Sequence, residues 1–208
     1  MCEFFSAIVL KNGDAVWDST IDNHSKLVEL ANIQDDTTDT SKMKFARVEI
    51  TPPDHDIFAD IEKWILKIDE TITPAWFKKR HEDAAWSALQ ECLKEVLIYK
   101  QNIKNLNKKR CWIKDSYIEY IYGGTVEYIE GGMVKNIKGG TVENIKGGTV
   151  KNIKGGTVEN IYGGTITVYN NHLPKKMSGD RYMIIDKSNA NPVILTGNKN
   201  IKIKYQRV

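Results

Sequence analysis

At 208 residues, 41% of them hydrophobic and 27% charged, the chain is long enough for one domain or two small ones and has the make-up of a water-soluble fold. No apolar run approaches the roughly 18–20 residues that span a bilayer, which excludes a helical membrane protein and predicts no membrane partner. The formal charge of +3 hides a division: residues 1–99 hold 11 Lys and Arg against 19 Asp and Glu, whereas residues 100–208 hold 19 against 8.

Charge and composition that change together predict separate modules, an acidic head and a basic arm that attracts nucleic acid, nucleotides or an acidic protein surface at long range. Met1-Cys2-Glu3-Phe4 lacks the basic start and long apolar core of a secretory signal, which predicts a cytoplasmic protein. Cys2, Cys92 and Cys111 are an odd number without CxxC or Cys/His spacing, so neither a disulfide framework nor a zinc site is expected.

In chain order, Phe4 to Leu10 is rich in strand formers, and Asn12-Gly13 supplies a tight hairpin turn before Ala15-Val16-Trp17 returns. Asp22 or Asn23 caps a short helix through Leu30, and a polar loop over 35–41 precedes Lys44 to Ile50, which alternates as a strand does. Trp64 to Ile68 reads as another strand. Thr73-Pro74 then announces a long helix to about Tyr99, with Trp86, Leu89, Leu93 and Val96 on one face that covers the small sheet. Residues 1–99 are therefore read as an acidic α+β head, and 100–114 as a basic connector.

From Gly123 the chain repeats every eight residues: GGTVEYIE, GGMVKNIK, GGTVENIK, GGTVKNIK, GGTVENIY, GGTITVYN, with DSYIEYIY before them as a degenerate copy. Fixed Val and Ile positions and the lack of proline between Pro74 and Pro174 predict a β-solenoid over 115–170, its apolar side chains stacked in internal ladders. A flexible glycine-rich linker would not repeat Val and Ile. Short apolar runs at 181–185, 193–195 and 201–205 predict a C-terminal β cap over 171–208.

The opening MCEFFSAIVLKNGD, with WDSTIDNHSKLVEL and KFARVEITPPDHDIF, resembles the head of uncharacterised bacteriophage and prophage proteins in which octads follow in variable number. The resemblance implies a phage-related origin and brings no activity with it. The octads are also similar to the repeat of phage tail-spike needles, with Ile137-Lys138-Gly139, Ile145-Lys146-Gly147 and Ile153-Lys154-Gly155 in the place of Val-x-Gly. That likeness implies a three-sided helix of intertwined chains.

Charges at the fifth octad position, Glu127, Lys135, Glu143, Lys151 and Glu159, also favour three octads per coil. A step of 24 residues would set Glu127 beside Lys151, whereas a step of 16 sets Glu127 beside Glu143. Seven octads would then make about two and a third turns, a small core that predicts a homo-oligomer.

Chemistry is sparse. Cys2, exposed by removal of Met1, would place a thiol beside a free α-amine, and the opening resembles that of class II glutamine amidotransferases. His81 and Glu82 read as a solvated helical surface. His24, His55 and His172 lack ligand spacing, and Walker, dinucleotide and Ser-elbow motifs are missing. A threonine row, Thr125, Thr141, Thr149, Thr157 and Thr165, is interrupted by Met133. The basis for binding is Lys108, Lys109, Arg110, Lys114, Lys135, Lys138, Lys146, Lys151 and Lys154, with Tyr120, Tyr122, Tyr128 and Tyr162 as stacking surfaces.

The expectation is a non-enzymatic binding protein of the host-cell cytoplasm, without cofactor or metal, that engages a host factor or sequesters a nucleotide signal through its basic arm. The alternatives are an oligomeric virion element like a tail needle and an N-terminal-cysteine amidohydrolase.

Overall fold

The computed structural model describes residues 4–34, 39, 42–168, 176–187 and 193–196. The chain divides into two compact units, Met1–Glu95 and Val96–Val208. Most elements are strands, and two α-helices occur among the described residues. No helix there is long and apolar enough to cross a membrane.

In the first unit β1 (Phe5–Leu10) turns at Asn12-Gly13 into β2 (Ala15–Val16), with Gly13 at φ +105° and the Asn12 carboxamide oxygen accepting the Asp14 N–H. The Asn23 side chain accepts the Lys26 N–H and so caps α1 (His24–Leu30). β3 (Phe45–Thr51) and β4 (Ile65–Ile68) complete an antiparallel sheet in the order β2-β1-β3-β4. Ala7, Ile8, Val9, Ala46, Val48 and Ile50 are fully buried, so both faces of the central strands are covered. Leu27, Val28 and Phe45 pack with Ile8 on one of them.

α2 spans Lys79–Val96, starting later and stopping earlier than the sequence reading placed it. Its buried stripe is His81, Ala85, Ala88, Leu89, Cys92 and Val96, while Trp86 and Leu93 are only half-buried. His81 is not a solvated surface residue. Its Nδ1 accepts the Lys78 N–H at 2.9 Å, which leaves the hydrogen on Nε2 to be donated to the Lys11 carbonyl at 3.3 Å, and its ring stacks on Phe77.

The second unit is a β-solenoid of about five turns over residues 97–186. Its strands are β5 (Leu97–Tyr99), β6 (Asn102–Lys114), β7 (Tyr117–Glu130), β8 (Met133–Ile137), β9 (Thr141–Ile145), β10 (Thr149–Ile153), β11 (Thr157–Val168) and β12 (Lys176–Asp186), all paired in parallel; β13 (Val193–Thr196) joins β12 antiparallel. Residues 100–114, expected as a connector, largely form β6 and belong to the first coils. β12 adds a further parallel layer to β11, and the run 201–205 lies outside the described residues.

The coil holds two octads, not three. Thr125 pairs with Thr141 and Thr141 with Thr157 on one side; Met133 pairs with Thr149 and Thr149 with Thr165 on the other. Glu127 consequently lies beside Glu143. The charge argument fails because each exposed pair is worth only about 0.2–1 kcal/mol, too little to choose between coils that bury the same Val and Ile side chains. Val126, Val134, Val142, Val150 and Val158 join Ile129, Ile137, Ile145, Ile153 and Ile161 in one core, all at most 4% exposed. With about five turns, the argument for self-association from a small core lapses. The threonine row is also redrawn: Met133 lies in the other row, so Thr125, Thr141 and Thr157 adjoin without interruption.

Val at position four and Ile at position seven both point inward although they are three residues apart, which an ideal strand of period two forbids. The ladder skips position five, and the asparagine at position six fills the gap. Asn136, Asn144, Asn152 and Asn160 donate Nδ2 to the carbonyls of Glu119, Glu127, Lys135 and Glu143, 17 residues earlier, at 3.1–3.2 Å. Asn152 and Asn160 also donate to the side-chain oxygens of Asn136 and Asn144.

The two glycines of one turn differ in duty. Gly148 has φ +82°, and an added Cβ would lie 2.6 Å from the Gly131 carbonyl oxygen; at Gly147 the nearest atom would be 3.8 Å away and φ is not positive. Gly148→Ala should therefore destabilise the solenoid by at least about 1–2 kcal/mol from the left-handed backbone alone, and Gly147→Ala should stay within about 0.5 kcal/mol of the parent. Urea unfolding of both variants checks this, and equal effects would contradict it.

Candidate polyanion-binding face

Two octads per coil turn the alternation of Glu and Lys along the chain into a segregation between faces. One face carries residues 117–121, β8, β10 and 165–168, so its fifth-position column runs Glu119, Lys135, Lys151, Thr167. The other carries 125–129, β9 and 157–161, and its column runs Glu127, Glu143, Glu159.

Turns leaving the lysine face form one edge of the coil stack, which carries Lys108, Lys109, Tyr122, Lys138 and Lys154. Lys108 is level with Gly124, the carbonyl of Tyr122 abuts Gly139 and that of Lys138 abuts Gly155. Lys138 Nζ sits 4.4 Å above the ring of Tyr120 and 5.2 Å from that of Tyr122, and these two rings stack at 5.6 Å. Lysines and stacked aromatics thus share one continuous strip with Lys135 and Lys151.

The remaining expected residues lie elsewhere. Arg110 is on the glutamate side, its Nε 2.8 Å from Glu127 Oε1 and its guanidinium 4.7 Å above the Trp112 ring. Lys114, level with Glu130, and Lys146 occupy the opposite edge, where Tyr162 also turns the chain. Lys146 lies 4.0 Å from the Tyr128 ring. The sequence reading therefore merged two surfaces into one, and it missed Lys104, exposed on the lysine face between Ile103 and Asn105, which pair with Ile118 and Tyr120.

Electrostatics follow the segregation. On the lysine face a 3.1 Å hydrogen bond to Glu119 raises the Lys135 pKa and holds its ammonium charged. On the opposite face burial, then the charge of Glu127, raises the Glu143 carboxyl. Burial pushes the Cys111 thiol up to about 12, which leaves it protonated and unreactive. Cys2 lies outside the described residues.

Comparison with protein-family models, curated proteins and solved structures finds no match.

Because the folded-state pKa of Glu143 is raised, the native state holds this proton more tightly than the unfolded chain, and stability falls as pH rises through the carboxylate range. Glu143→Gln should accordingly stabilise the protein at pH about 7 by roughly 0.2–1 kcal/mol and confer little at pH about 4, where the parent carboxyl takes up its own proton. Thermal unfolding at both pH values checks this; a loss of stability at neutral pH would contradict it.

Proposed function

We propose that the protein is a non-enzymatic binding protein that engages a phosphate-rich partner, single-stranded nucleic acid or nucleotide, through the lysine face of its solenoid and the adjoining edge. In this reading the α+β head, its sheet covered by the long helix, is the acidic module, and the protein works in the cytoplasm of a phage-infected host. The observation that carries the reading is the gathering of Lys104, Lys108, Lys109, Lys135, Lys138, Lys151 and Lys154 on one strip with the stacked Tyr120 and Tyr122, while the column of glutamates faces away. Lys135 with Lys151, and Lys138 with Lys154, stand one coil apart, about 4.8 Å, on a rigid ladder and give a cationic track with little ordering cost. The tyrosine pair offers π-faces that stack on bases without regard to sequence.

Binding of a labelled single-stranded oligonucleotide to the full chain should weaken on the order of 100-fold between about 50 and 200 mM salt, as about six phosphate contacts require. Lys138→Glu with Lys154→Glu should lower affinity at least about tenfold and flatten the salt dependence. Glu143→Gln with Glu159→Gln should not weaken it. Binding indifferent to salt, or equally weakened by both pairs of substitutions, would overturn the reading.

A further inference from the structure

The sequence leaves His24 without partners at ligand spacing, but the fold of the first unit brings it to Glu49 and Asp69. One ligand atom from each of the three lies within 4.8 Å of the others. His24, the first residue of α1, is buried, and its Nε2 stands 3.2 Å from the Val48 carbonyl oxygen. A carbonyl only accepts, so Nε2 carries the hydrogen and Nδ1 presents a lone pair in the neutral ring. That lone pair faces the Asp69 carboxylate, with 3.4 Å between Nδ1 and Oδ2.

A metal ion held at about 2.0–2.2 Å in tetrahedral array sets its donors about 3.4 Å apart, and the separation of Nδ1 from Asp69 Oδ2 admits one.

We infer that His24, Asp69 and Glu49 form a site for a divalent transition-metal ion, with a fourth position open to solvent.

One imidazole nitrogen and two carboxylates suit the zinc, cobalt or manganese class rather than calcium or magnesium, and the two carboxylates balance the charge of the ion. The Val48 carbonyl is the outer partner that fixes the ring of a ligating histidine. Asp69 is held by its N–H bond to the Arg47 carbonyl at 2.9 Å, and the neighbouring Glu70 is tied to the Arg47 N–H and guanidinium at 3.1 and 2.9 Å. Glu49, on β3, is half-buried and has three rotatable bonds with which to close on the ion. The half-exposed Asp69 side chain provides the entry. Lys67, opposite Glu49 in the register, is the nearby cation that competes for that carboxylate.

The test is titration of the chelator-stripped full chain with Co2+, read by visible d–d absorption, followed by displacement with Zn2+. One ion per chain should bind, and His24→Ala and Asp69→Asn should each weaken binding at least about 100-fold. Lys67→Ala should leave it as tight or tighter. Should His24→Ala fail to fold, Asp69→Asn, altered at an exposed position, decides. Absence of cobalt binding, which would mean a His–Asp ion pair only, or binding retained in the Asp69 variant, overturns the site.

Discussion

At the turn of each octad the second glycine brings its Cα so close to the coil before it that no side chain fits. An added Cβ would lie 2.6 Å from the Gly124 carbonyl oxygen at Gly140 and 2.5 Å from the Gly140 oxygen at Gly156, and both residues have φ near +80°. This contact between backbones 16 residues apart sets the coil length. Once it is set, the Val and Ile ladders, the asparagine ladder and the sorting of charges follow, because every residue is then stacked on its equivalent two octads away. The glutamates of one face repel as a result, and burial of the apolar ladders outweighs that repulsion.

The same constraint gives the surface its meaning. An eight-residue repeat that alternates Glu and Lys at position five would mix charges in a coil of three octads; in a coil of two it gathers Glu127, Glu143 and Glu159 on one face and sets Lys135 and Lys151, above Glu119, on the other. The cationic strip beside Tyr120 and Tyr122 is therefore a consequence of coil length rather than of overall charge, and Arg110, equally basic, is drawn instead to Glu127.

The octads made the solenoid legible because Val, Ile and Gly-Gly recur without slippage, and Asn12-Gly13 and Asn23 marked a hairpin and a cap by chemistry that acts locally. Coil length was not legible from charges, since exposed pairs are too weak to choose a register. The first coil was missed for another reason: it lacks Gly-Gly. Its pairs are 15 residues apart at Asn102 with Tyr117 and at Arg110 with Thr125. Asp115, at φ +48°, takes the place of a glycine there, while Ser116 bonds to Ile98, Lys114 and Gln101 around the corner. The grouping of His24 with Glu49 and Asp69 depends on the pairing of β3 with β4 and on the packing of α1 against the sheet, which no local pattern announces.

The sixteen-residue coil is tested most directly by disulfide capture in a Cys2→Ser background, where the other native cysteines, Cys92 and Cys111, are buried. Neighbouring strands at about 4.8 Å bring paired residues within the range a disulfide needs. Thr125→Cys with Thr141→Cys should cross-link on mild oxidation, as read by mass spectrometry of the linked peptides, and Thr125→Cys with Thr149→Cys should not. Cross-linking of 125 to 149 without that of 125 to 141 would mean three octads per coil and would contradict the account.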